Sequence, residues 1–133
     1  MTGPGMITVA SPWSVEATAD RLEAALTGAG LLVFARIDHA GNAARAGMEL
    51  RPTELLIFGH PKGGTPLMRD RQTSGLDLPV KALAWQDETG RTWLTCNDAR
   101  WLADRHGLGA GSEQALEAVE SGLSRLVEQA VAP

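Results

Sequence analysis

The stretch VKALAWQDETGRTWLTCN, residues 80–97, decides how the chain folds. Two strand-like runs, VKALAWQ (80–86) and RTWLTCN (91–97), flank DETG, whose acidic residues and glycine suit a tight hairpin. Within the second run Thr92, Leu94 and Cys96 alternate along one strand face, which reads as the buried one, and Cys96 is expected to be a packing residue. Asp87 and Glu88 read as solvated turn charges, because an acid–base pair needs two carboxyls in unequal, partly buried settings.

Upstream of the hairpin, TELLIFG (53–59) is a third strand, with Leu55 and Ile57 on one face and Leu56 and Phe58 on the other. LLVFARID (31–38), bounded by glycine before and Asp38-His39 after, is too short for an independent helix and reads as a fourth. MITVA (6–10) supplies the fifth. Between the first two in chain order, Ser14 is placed to cap a helix to about residue 29, with Glu16 in its first turn. Val15, Ala19, Leu22, Leu26 and Ala29 recur there at helical spacing, and Gly28 and Gly30 supply the stop.

Shorter helices are expected near 42–47, ended by Arg51-Pro52, and over 66–73, opened by Thr65-Pro66 as cap and first residue. Asn97-Asp98 caps a helix carrying Trp101, Leu102 and His106 that stops near Gly107. Ser112 begins the last helix, whose stripe of Leu116, Val119, Leu123, Leu126, Val127 and Ala130 is interrupted by Gly122 at a cost of about 1 kcal/mol relative to alanine. The pattern predicts a single α+β domain over 1–133: a mainly antiparallel five-stranded sheet covered by helices.

Composition fits that reading. With 133 residues, 44% of them hydrophobic, the chain can bury a continuous core without staples. The single cysteine forms no internal disulfide, and MTGPGMITVA lacks the basic segment and long apolar run of a secretory signal, so a cytoplasmic protein is expected. The longest aliphatic or aromatic run, LLVFA at 31–35, is far short of the roughly 20 residues that cross a bilayer, which argues against a membrane partner. A net charge of −4 with scattered basic residues argues against nucleic acid, although Lys62, Arg69 and Arg71 lie close in sequence.

The stretches FARIDHAGNAARAGMELRPTELLIFGHPKGGTPLM and LDLPVKALAWQDETGRTWLTCNDARWLADRHGL resemble the domain-of-unknown-function 302 family, over about Ile7 to Leu108. The resemblance implies an α+β fold of the TATA-box-binding-protein-like β-α-β(4)-α kind, commonly homodimeric, and supplies no reaction and no cofactor. His39 in RIDHA and Lys62 in PKGGT match the family pattern. His60 stands where the family more usually has Asn, which counts against an essential acid–base role for it.

One loop holds the ingredients of a ligand site. HPKGGT (60–65) is not a Walker A motif, because Lys62 precedes Gly63-Gly64-Thr65 instead of following the glycines. Its glycines would allow close backbone approach, and a helix opening at Thr65 would offer free N–H groups to a small anion, with Lys62 supplying charge. The expected ligand-binding set is His39, His60, Lys62, Gly63, Gly64 and Thr65, with no catalytic residue and no metal ligand assigned. The same residues also suit a plain strand-to-helix turn. His39, His60, His106 and Cys96 show no local metal-binding pair, and His39 and His60 flank a strand that holds them apart. Trp85, Trp93 and Trp101 fit a core, a subunit interface or a planar-ligand pocket. The expected function is a dimeric binding or interaction domain without chemistry, because the titratable candidates are few and dispersed, with an enzyme acting on a small anion held at 60–66 as the alternative.

Overall fold

A computed structural model describes residues 3–133. Five strands, β1 (Met6–Ser11), β2 (Leu32–Asp38), β3 (Thr53–Gly59), β4 (Val80–Gln86) and β5 (Thr92–Asn97), form one sheet in the order β1-β5-β4-β3-β2. Every neighbouring pair is antiparallel. The central hairpin forms as the sequence predicts, with Trp85 opposite Trp93 and Ala82 opposite Cys96. Gly90 takes φ +89° in its turn, a left-handed conformation that glycine adopts without a side-chain clash.

Five helices accompany the sheet: α1 (Val15–Gly28), α2 (His39–Arg45), α3 (Pro61–Asp70), α4 (Ala99–His106) and α5 (Glu113–Val131). β1 and β2 are opposite edges, so α1 carries the chain across the sheet between them. Ser14 caps it, its Oγ accepting from the Ala17 N–H at 3.1 Å. α1 and α5 press Val15, Ala19, Leu22, Leu26, Leu123, Leu126 and Val127 onto Leu56, Phe58, Val80, Ala82, Ala84, Leu94 and Cys96. Alternation along the strands turns Leu55, Ile57, Leu83, Trp85 and Trp93 to the other face, where each is only half-buried. A smaller cluster, Leu67, Ala99, Ala103 and Leu116, joins α3, α4 and α5, and Leu78 and Val119 pack against both clusters.

Polar ties fix the helices. Arg36 on β2 donates to Asp20 and Glu23 of α1 and to Glu54 of β3, bonds that raise its pKa against the opposing effect of burial. Arg21 of α1 reaches the end of α5, donating to the carbonyls of Gln129, Ala130 and Ala132, and its guanidinium lies over the Trp13 ring. Arg100 of α4 pairs with Glu113 and Glu120 of α5. Asp70 at the end of α3 accepts from Ser112 Oγ at 2.6 Å and from the Gly109 N–H at 2.9 Å, bonds that lower its carboxyl pKa.

Three expectations are corrected. α2 begins at His39 instead of 42, because Asp38 Oδ1 accepts from the Gly41 N–H and starts the helix early. α3 spans Pro61–Asp70 instead of 66–73. Its cap is His60, with Pro61 in the first turn, where proline's missing N–H costs nothing. Pro66 then sits inside the helix on its exposed side. Asp87 is not a solvated turn charge: it is 8% exposed and closes the hairpin. Its carboxylate accepts from Thr89 N, Thr89 Oγ1, Arg91 N and Trp93 Nε1 at 2.7–3.0 Å.

Candidate functional site

A large cleft opens between α1, α5 and α3 at the end of the sheet where β3 finishes and β4 begins. It measures about 1140 Å³. Phe58, Val80, Leu123 and Leu126, all buried, belong to its lining. α1 contributes Ala24, Ala25 and Gly28, with Ala29 at its C-cap, and α5 contributes Ala118 and Gly122. These side chains are small, so the two helices leave space where larger groups would have filled it. Phe34 joins the lining from β2, at a bulge between Val33 and Ala35 that leaves it without a partner on β3 and half exposed.

Four polar side chains line the cleft: His60, Thr65, Arg125 and Gln129. No carboxylate does. His60 is held by its own capping bond, Nδ1 accepting from the Lys62 N–H at 3.1 Å. A neutral ring with that acceptor carries its proton on Nε2, which makes Nε2 a donor. Arg125 is exposed, and its side chain takes part in none of the side-chain hydrogen bonds and ion pairs among the described residues.

The residues expected from the sequence divide into three groups. His60, Gly63, Gly64 and Thr65 line the cleft together. Lys62 is exposed and outside the lining. His39 lies apart: it follows Asp38, which pairs with Glu54 at the start of β3, whereas His60 follows Gly59 at its end. Five residues of strand therefore separate the histidines, on the order of 17 Å.

The backbone donors expected of the 60–66 loop are engaged. With the helix opening at Pro61, Gly63 N–H and Gly64 N–H both bond to the His60 carbonyl, at 2.9 and 3.2 Å, and Lys62 N–H is taken by the His60 ring. The turn therefore gives the cleft a wall and one imidazole.

Cys96, on the covered face of β5, is held inert. Burial, with a smaller contribution from Asp98, pushes its thiol up to about 11, where almost no thiolate forms at neutral pH. Among the described residues no group of three His, Cys, Asp or Glu comes together to hold a metal. His106 is spent on structure, with Nε2 2.5 Å from Asp77 Oδ2 and Nδ1 3.1 Å from Thr73 Oγ1. Trp85 and Trp93 stack across β4 and β5, centroids 6.4 Å apart, on the sheet face opposite α1 and α5. None of Trp85, Trp93 and Trp101 joins the core or the cleft.

Arg125, Gln129 and the small residues of α1 and α5 were not anticipated from sequence. The available signal was Gly122 interrupting the apolar stripe of the last helix, together with Ala118 one turn before it.

The chain is thus a small α+β domain, its antiparallel sheet covered on one face by α1 and α5 and carrying an apolar cleft beside them. Comparison with known proteins gives the family: residues 7–130 match the model described as "Domain of unknown function DUF302", and the chain belongs to that family. A crystal structure of an uncharacterized conserved DUF302 protein from Bacillus stearothermophilus superposes with a TM-score of 0.83 at 18% identity, covering 96% of this chain and 99% of that one. It establishes the shared fold. Proteins named fluoride-specific ion channel FluC 1 from Brucella suis biovar 1 and FluC 2 from Brucella melitensis biotype 1 are each 48% identical over 126 residues. That is 95% of this chain, and 50% and 47% of those proteins, so the chain spans about half the length of the curated relatives it matches.

Proposed function

We propose that the chain is a binding domain that encloses a small, largely apolar ligand in the cleft between α1, α3 and α5. The observation that carries this reading is a lining of about 1140 Å³ with only four polar side chains. Cavities of roughly 300–1000 Å³, mostly apolar with a few placed polar groups, are the usual form of small-molecule sites. Catalysis on a small anion at 60–66 has less support, since the local amides are already bonded and the lining brings no carboxylate or thiol to His60. Titration with the neutral apolar dye Nile red tests the reading. A saturable emission shift that Gly122→Leu removes supports it, and a shift unaffected by that change, or none, overturns it.

A second feature supports a homodimer. Leu55, Ile57, Leu83, Trp85 and Trp93 make an apolar sheet face to which α1 and α5 contribute nothing. A second copy laid on that face would bury it, and the family resemblance points the same way.

The fluoride channel relatives suggest where such a domain is used. No helix among the described residues is long and apolar enough to cross a membrane. In those relatives ion conduction would then belong to the half this chain does not match, with the matched half as an appended binding domain. Deleting the matched half should leave fluoride flux intact, and loss of flux in a folded, inserted protein would count against this assignment.

A further inference from the structure

We infer that the ligand, on the cleft-binding reading above on which this rests, is an amphipathic anion: one flexible aliphatic tail ending in a carboxylate or similar monoanionic head. Charge is the first argument. Asp and Glu outnumber Lys and Arg across the chain by 16 to 12, yet the cleft is lined by no acid and by one arginine and one histidine. Most arginines here are occupied, Arg36 and Arg100 by two or three carboxylates each, Arg21 by carbonyls. Arg125 is left to solvent at the cleft, where its planar guanidinium suits a two-point bond to a carboxylate. His60 Nε2–H and the Gln129 amide are further donors on the same lining.

The tail follows from the rest of the lining. Phe58, Val80, Leu123 and Leu126 present no polar atom from their side chains, so a polar group carried against them would lose its water without replacement. A flat aromatic ligand finds little to stack on. The chain has no tyrosine, its four tryptophans all lie outside the lining, and Phe34 and Phe58 are the aromatic wall. Alanines and glycines on both flanking helices leave a passage that a bending alkyl chain can follow.

The test uses calorimetric titration with octanoate, decanoate and dodecanoate below their micelle concentrations, and with dodecyltrimethylammonium as the cation of matched tail. Each methylene that enters the cleft should tighten binding about fourfold. Dodecanoate should bind at least tenfold tighter than the cation, and Arg125→Glu should remove that preference. Gly122→Leu, at a position where an added Cβ meets nothing within 4 Å, should keep the fold and lose dodecanoate binding. Equal affinity for anion and cation, or no effect of Arg125→Glu, overturns the anionic class while leaving the cleft as a site. Binding of no amphiphile, with Nile red still displaced by none and still lost in Gly122→Leu, overturns the amphiphile and spares the cleft. Unchanged dodecanoate and dye binding in Gly122→Leu sinks both readings. Sedimentation with phosphatidylglycerol vesicles separates the sources: retention that Gly122→Leu abolishes supports a bilayer lipid as donor of the tail, and dodecanoate binding without retention supports a free amphiphile.

Discussion

Asp87 shows how much one side chain can organise. Its four accepted bonds hold Thr89 and Arg91 in the turn and fix the indole of Trp93, and the Thr89 and Trp93 bonds hold its carboxyl far below the usual carboxylate range. A group whose pKa is depressed by folding stabilises the fold fully above its unfolded value, about 3.9, and loses that contribution as pH falls below it. Thermal melts should therefore decline below about pH 4, and Asp87→Asn should flatten that decline, whereas Glu88→Gln, on the exposed neighbour, should not. Ser74 is the opposite case: its Oγ is buried and has no partner among the described residues. Ser74→Ala should leave stability unchanged or raise it by up to about 1 kcal/mol in denaturant melts, since the unpaired hydroxyl's lost hydration is no longer incurred. Neither role was visible in the sequence, because an aspartate in a turn and a serine after a helix look alike whether their neighbours donate or not.

The elements were legible where one periodicity ran long enough. The five strands and the helices from Ser14 and Ser112 declare themselves through alternation or through stripes of Leu and Val. The failures cluster at helix starts, where a side chain outside the pattern takes the cap. Thr65-Pro66 carries a cap signature, but His60-Pro61 reaches the same arrangement one turn earlier and α3 forms there. That shift of five residues turned an expected anion loop into a satisfied helix end. The cleft was illegible for a different reason: cavities come from what two helices fail to fill, and Ala25 or Ala118 alone reads as core. Gly122 joins these two scales. Its backbone is helical and its Cβ position is open, so Gly122→Ala should stabilise α5 by about 1 kcal/mol, measured by chemical denaturation, without closing the cleft. A loss of stability there would mean that Gly122 is packed against something.

For the whole molecule, the sheet has one face committed to α1 and α5 and one face not. The proposed pairing of two copies through the second face predicts that sedimentation at micromolar concentration gives twice 14.1 kDa. Leu83→Glu, in the middle of that face, should yield monomers, while Lys62→Ala, far from it, should not. A monomer for the unaltered chain removes the dimer. The alternation of Leu55 and Ile57 with Leu56 and Phe58 gives β3 two apolar faces, and only the helix positions show that one of them is left uncovered.

The strand order also sets a schedule. β1 leaves first and pairs only with β5, with Thr8 bonded to Thr95 across 87 residues of sequence. At usual rates of synthesis those residues take roughly 4 to 17 s to follow, and during that time the first strand has no neighbour. Met6 and Ile7 of that strand are both still 44% exposed when the sheet is complete. The interval in which this chain is most open to mispairing is therefore built into its topology, and it ends only when the fifth strand arrives.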